Sequence, residues 1–267
     1  MRINGLEYHV EVDGEGPPLV LLHGFTGSTR TWDAVRATLN TVARTVALDL
    51  VGHGRSSAPV EVARYTMQAA SADLAAVLDS LGIQQAAVLG YSMGGRLALD
   101  FALRCPERVR ALVLESASPG IADPTERARR AASDEELAAR IEREGVEAFV
   151  AGWEQQPLLA LGAHVPDRVR QAQRAERLSH TALGLANSLR GMGAGRQLSR
   201  WACLPRLATP VWLVVGERDA RYVDIARRTA ERLPRAEVVQ VPGAGHTVHL
   251  DQPDAFGRLV KDWVVRN

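Results

Sequence analysis

Ala86-Ala87-Val88-Leu89-Gly90-Tyr91-Ser92-Met93-Gly94-Gly95-Arg96 is the stretch on which the reading of this chain turns. An apolar run of strand type ends at Gly90, a helical pattern begins by Arg96, and Ser92 stands at the bend. A strand that turns abruptly into a helix holds its turn residue in a strained backbone conformation. Glycines are required on either side, because side chains there would collide with neighbouring backbone. Ser92 is thereby pushed out at a helix N-terminus, where partial positive charge and free N–H groups favour an alkoxide and developing oxyanions. The string G-x-S-x-G occurs by chance, but here both flanks supply the strand–turn–helix setting of a nucleophile elbow. A serine serving only as an N-cap would explain Ser92 and leave Gly90 and Gly94 without a reason.

An activated serine needs a histidine to take its proton and a carboxylate to orient that histidine, in the chain order Ser, Asp, His. Val211-Trp212-Leu213-Val214-Val215-Gly216 reads as a buried strand, and Glu217-Arg218-Asp219 follows at its C-terminal end, where open α/β sheets carry functional groups. Asp219 is the preferred acid and Glu217 its nearest rival, while Asp224 falls inside the next helical pattern and faces solvent. The strand Val238-Val239-Gln240-Val241 runs into Pro242-Gly243-Ala244-Gly245-His246, a glycine-rich loop suited to close backbone approach, which makes His246 the base. His249 in the same loop is read as a surface histidine without a role. A third element is Leu19-Val20-Leu21-Leu22 followed by His23-Gly24-Phe25-Thr26-Gly27. An oxyanion needs two N–H donors, here from Met93 after the nucleophile and from Phe25 after the earlier strand. His23 is expected to bond loop backbone.

These residues resemble the α/β-hydrolase superfamily, and the similarity spans essentially the whole chain. Asp49-Leu50-Val51-Gly52-His53-Gly54-Arg55-Ser56 adds the D-x-x-G-H-G-x-S loop that the superfamily carries after its next strand. Aspartate at the nucleophile position would point to a dehalogenase or epoxide hydrolase; serine excludes both. Residues 6–120 alternate apolar strands with amphipathic helices, as a parallel sheet covered on both faces requires. From about 122 to 198 the strand signal gives way to helical, charged sequence, and strands resume at Val211. The expected architecture is one α/β-hydrolase domain over 1–267, with a mostly parallel central sheet flanked by helices (core 1–121 and 199–267) and a helical cap of about 122–198 inserted between sheet strands.

Composition agrees. A chain of 267 residues that is 46% hydrophobic can bury a large core, and a net charge of +1 provides no global basic field for nucleic acid or membrane. No run of about 18 apolar residues is long enough to span a bilayer. No signal-peptide pattern opens the sequence, so a cytoplasmic location is expected. Cys105 and Cys203 are expected to be reduced and structural. No His/Cys/Asp/Glu cluster shows metal-ligand spacing, so no metal and no organic cofactor is expected.

Arg96 departs from a generic esterase, in which this helical position is usually small or apolar. A cation at a helix N-terminus opposes the macrodipole, so helix stability does not explain it. It is placed to bind an anion beside Ser92 by the bidentate contact a guanidinium can make. A salt bridge to Asp100, one turn on, is the competing reading. The cap adds Glu126-Arg127-Ala128-Arg129-Arg130, Trp153-Glu154-Gln155-Gln156-Pro157-Leu158, Arg174-Ala175-Glu176-Arg177-Leu178-Ser179 and Gly184-Leu185-Ala186-Asn187-Ser188-Leu189-Arg190-Gly191-Met192-Gly193. With Tyr91-Ser92-Met93-Gly94-Gly95-Arg96 and Glu115-Ser116-Ala117-Ser118-Pro119-Gly120, these strings closely resemble the 2-succinyl-6-hydroxy-2,4-cyclohexadiene-1-carboxylate synthase family of menaquinone biosynthesis. The resemblance implies a lyase that eliminates pyruvate from a small-molecule tricarboxylate, with Ser92 as general base. It also implies substrate contacts at Arg96, Arg130, Arg177, Trp153 and Tyr91, with Arg127, Arg129 and Arg174 as alternates and a solvated helix face as the competing reading of each cap arginine. A serine hydrolase with the same triad, and a receptor-like binding module on the same fold, are the other readings.

Overall fold

The computed structural model describes residues 1–266. A two-stranded hairpin, β1 (Arg2–Ile3) and β2 (Leu6–Glu7), precedes the main sheet. That sheet has seven strands: β3 (Val10–Asp13), β4 (Pro18–Leu22), β5 (Arg44–Leu48), β6 (Ala86–Tyr91), β7 (Val109–Glu115), β8 (Val211–Gly216) and β9 (Ala236–Val241). They lie in the order β3-β5-β4-β6-β7-β8-β9, and only the β3–β5 pairing is antiparallel.

Side chains alternate across a strand, so continuous apolar runs demand cover on both faces. One phase of the alternation, including Leu21, Leu89, Val113 and Val214, packs on α1 (Asp33–Leu39) and α9 (Pro253–Arg266). The other, including Leu22, Val88, Leu112 and Leu213, packs on α2 (Met67–Ser80), α3 (Met93–Arg104) and α7 (Ala220–Ala230). This is the α/β-hydrolase architecture that the alternating sequence predicts.

Between β7 and β8 the chain leaves the sheet to form α4 (Pro124–Trp153), α5 (Asp167–Leu178) and α6 (Ala182–Met192). Asp123 caps α4 by accepting from Glu126 N at 2.7 Å. Gly145, at φ 84° and ψ 170°, breaks that helix into two segments. Ala138, Ile141, Phe149 and Val150 of α4 bury against Leu185, Ala186 and Leu189 of α6, giving the cap a small core of its own.

Polar clasps seat the cap on the sheet. His180 Nδ1 accepts from Gly54 N at 3.0 Å and its Nε2 donates to Thr26 O at 2.9 Å, tying together two loops at strand ends. Ser28 Oγ donates to Glu176 of α5 at 2.6 Å. Among the described residues no helix is long and apolar enough to cross a membrane.

Candidate active site

Ser92 sits between β6 and α3 with φ 51° and ψ −105°, a conformation costly for any residue with a side chain. Packing holds it there. A Cβ on Gly94 would overlap the backbone oxygens of Leu22 and His23, and one on Gly90 would overlap the Gly94 carbonyl. The Ser92 hydroxyl makes no helix-capping bond, which removes the N-cap reading. Its Oγ lies 3.2 Å from His246 Nε2, and His246 Nδ1 lies 2.7 Å from Asp219 Oδ2. Since the carboxylate accepts, Nδ1 carries the proton and Nε2 is left to accept from the serine. Asp219 Oδ1 also accepts from Tyr222 N at 3.2 Å, in the first turn of α7. The three residues follow β6, β8 and β9, so the sheet joins groups 154 positions apart.

The rival acids lie elsewhere. Glu217 is exposed and accepts from Gly243 N at 2.9 Å, bracing the histidine loop from outside. Asp224 is exposed on α7 and pairs with Arg228. His23 does bond loop backbone, Nδ1 to Gly24 O at 2.7 Å and Nε2 from Leu50 N at 2.9 Å, and burial pulls its pKa down to about 4. It is therefore neutral and structural. Cys105 and Cys203 are free thiols, both half-buried.

The expectation for His249 is corrected. It is only 1% exposed, lies within the short helix α8 (Val248–Asp251), and bonds the Glu115 carboxylate through its backbone N at 3.0 Å and its Nδ1 at 2.8 Å. A surface role fails because Glu115, at the end of β7, is itself fully buried and requires a partner. The available signal was a carboxylate closing the apolar run Ala111-Leu112-Val113-Leu114.

A cavity of about 120 Å³ opens over Ser92 and His246 and is lined by Phe25, Met93, Arg96, Arg130 and Trp153 among others. Met93 is the first residue of α3, where backbone N–H groups lack an intrahelical acceptor. The arrangement holds a serine beside an imidazole oriented by a carboxylate, under two guanidinium groups. That combination can move a proton next to a developing negative charge.

The family model for the alpha/beta hydrolase fold matches residues 17–253. The sequence is 41% identical to the putative 2-succinyl-6-hydroxy-2,4-cyclohexadiene-1-carboxylate synthase of Bacillus subtilis (strain 168), over 98% of this chain and 96% of that protein. The chain belongs to this synthase family, within the alpha/beta hydrolases. Among solved structures it is similar to MenH from S. aureus, with TM-score 0.92 and 28% identity over 97% of this chain and 98% of that one. A thermophilic esterase from Thermogutta terrifontis, with malate bound, is also similar, at TM-score 0.84 and 28% identity over 98% and 94%.

Relative to this synthase-family site, the residues expected to touch substrate fall into two groups. Arg96 and Arg130 share the cavity of Ser92, whereas Arg177 and Tyr91 line a neighbouring cavity of about 290 Å³. Trp153, at the end of α4, borders both and packs edge-on to Phe25 at 5.4 Å. Arg130 Nε donates to Asp134 at 2.7 Å. Arg177 is buried and lies 3.3 Å from Glu154. Tyr91 hydrogen-bonds Thr247 Oγ1 at 3.0 Å, with its ring 5.6 Å from that of His246. The alternates are not in the serine cavity: Arg127 donates to Ile121 O, and Arg174 pairs with Glu154.

Arg96 does not pair with Asp100. That carboxylate is taken by Arg104 and Arg200. Tyr222 went unrecognised in the sequence. Its ring packs 4.6 Å from His246, it lines the serine cavity, and burial raises its pKa, so its hydroxyl remains a neutral donor.

Proposed function

We propose that this chain is a carbon–oxygen lyase that eliminates pyruvate from 2-succinyl-5-enolpyruvoyl-6-hydroxy-3-cyclohexene-1-carboxylate, giving 2-succinyl-6-hydroxy-2,4-cyclohexadiene-1-carboxylate for menaquinone biosynthesis. The observation that carries this reading is Arg96, a half-buried guanidinium in the Ser92 cavity with no carboxylate partner among the described residues. A buried charge without a counter-ion is costly, and an anionic ligand would offset that cost. A pocket for a lipid ester would call for apolar walls instead.

In the proposed mechanism His246, held by Asp219, draws the proton from Ser92, and the serine oxygen abstracts the ring proton next to the succinyl ketone. The C–H electron pair forms a dienolate whose oxygen accepts from the backbone N–H groups of Phe25 and Met93. Its collapse forms the second ring double bond and breaks the ring C–O bond. Enolpyruvate leaves, takes up the proton on carbon, and becomes pyruvate. Arg96 and Arg130 would hold carboxylates near the reacting ring, with Trp153, Tyr91 and Arg177 toward the neighbouring cavity. Ser92 forms no acyl-enzyme.

Incubating the purified protein with the enolpyruvoyl tricarboxylate tests this, with pyruvate and the ring product expected in equal amounts. No pyruvate above the uncatalysed rate would contradict it. The second reading, a serine hydrolase, is favoured by the intact Ser92–His246–Asp219 chain and by the similarity to an esterase. It predicts a trappable acyl group on Ser92.

A further inference from the structure

We infer that Gln197 is a positioning residue, a neutral acceptor that orients the Arg96 guanidinium in the Ser92 cavity and leaves its charge free for a substrate carboxylate. This rests on reading Arg96 as an anion site. Burial pulls the Arg96 pKa down to about 10, and its side-chain hydrogen bond among the described residues runs from Nη1 to Gln197 Oε1 at 3.0 Å. The acids around it are committed elsewhere. Asp100 accepts from Arg200 Nε at 2.7 Å and pairs with Arg104, and Asp134 accepts from Arg130 at 2.7 Å and from Gly195 N at 3.2 Å.

Gln197 is 2% exposed, on the segment between α6 and β8. That segment is fixed against the loop after β7 by Arg200 N to Pro119 O at 2.7 Å and Trp201 Nε1 to Gly120 O at 2.8 Å. Arginine has only donors, so the amide oxygen must face it, and the amide nitrogen is then buried without a partner. A glutamate of the same shape would give Arg96 a charge-assisted bond and an internal counter-ion, which a neutral amide does not. Stability alone therefore favours glutamate at this position. Glutamine forgoes that gain and keeps the cation uncompensated.

The test compares Gln197→Glu and Gln197→Met in the wild-type and Arg96→Met backgrounds. Three quantities are read: Tm, succinate binding by calorimetry, and kcat and KM for pyruvate release. Gln197→Glu is expected to raise Tm while weakening succinate binding about tenfold or more, the scale of a close charge pair. It should raise KM by a larger factor than it lowers kcat. Gln197→Met should lower Tm and weaken binding less. In the Arg96→Met background Gln197→Glu should cost much less binding than in the wild type, which separates positioning of Arg96 from a general structural role. Wild-type succinate affinity in Gln197→Glu, or an equal loss in both backgrounds, overturns the inference. Absence of succinate binding in the wild type overturns it together with the anion site. If the binding results hold but the wild type releases no pyruvate, the assigned reaction fails and the role of Gln197 stands.

Discussion

Two cavities meet at Phe25 and Trp153, and one cation in each, Arg96 and Arg177, is partnered differently. On the serine side, Arg96 is half-buried beside Ser92, and its side-chain hydrogen bond among the described residues goes to a neutral amide. On the far side, under α5, Arg177 is buried but already paired with Glu154 at 3.3 Å, and Glu176, whose pKa burial raises, shares its walls. A paired cation is satisfied within the protein; an unpaired one is left to solvent or to a ligand. On the proposed reading, anion recognition falls mainly to the serine cavity, and the larger cavity, lined by Asp33 and Glu176 as well as by arginines, has the more balanced lining.

The largest expected effect is on the proton-transfer chain itself. Ser92→Ala, His246→Ala and Asp219→Asn should each lower kcat for pyruvate release by about 10³-fold or more, with double variants losing little beyond the worst single, because the three act as a unit. Steady-state kinetics on folded variants, checked by circular dichroism, measure this. Near-normal turnover in Ser92→Ala would remove both enzymatic readings.

The cations come next and address the comparison directly. Arg96→Ala should raise the barrier for the tricarboxylate by about 2–5 kcal/mol, the range for stripping one partner from a buried charge pair, and Arg177→Ala by less. Lysine at position 96 should rescue only partly, since it lacks the planar fork. Equal losses in kcat/KM for the two alanine variants would break the contrast between the cavities.

Legibility in the sequence follows the same division. Ser92, Asp219 and His246 could be read because each sits where a strand ends in a turn, and turn chemistry is written in adjacent residues such as Gly90 and Gly94. The β–α alternation made the fold readable for the same local reason. Gln197, Tyr222 and the Glu115–His249 pair could not be read that way. Arg96 meets Gln197 across 101 positions, and Glu115 meets His249 across 134. Asp100 is one turn from Arg96, yet it is turned to Arg200, 100 positions away. In the cap, helical phase alone could not choose among Arg127, Arg129 and Arg130, because the kinked α4 gets its rotation from packing on α6.

The smallest expected effect is on stability, at the clasp between cap and core. His23, His53 and His180 cluster behind Phe25, and burial lowers the pKa of each, His23 to about 4. A histidine with a depressed folded pKa stabilises the fold above its ordinary value near 6.5, and that contribution is lost as pH falls toward the folded value. Tm should therefore drop between about pH 6.5 and 4. His180→Gln should cost about 1–3 kcal/mol at neutral pH, through its bonds to Gly54 and Thr26, and should flatten the acid limb. A Tm independent of pH over this interval would show that these rings are not held neutral.

The claim that Ser92 acts as a base, with no covalent step, is tested most directly by running the wild-type reaction on the enolpyruvoyl tricarboxylate in water enriched in heavy oxygen while trapping the protein for mass analysis. The account predicts pyruvate and ring product in equal amounts, no solvent oxygen in the ring product's carboxylates, and an unmodified Ser92. Solvent oxygen entering a carboxylate at the rate of turnover, with an acyl group caught on Ser92, would contradict it and make the chain a hydrolase.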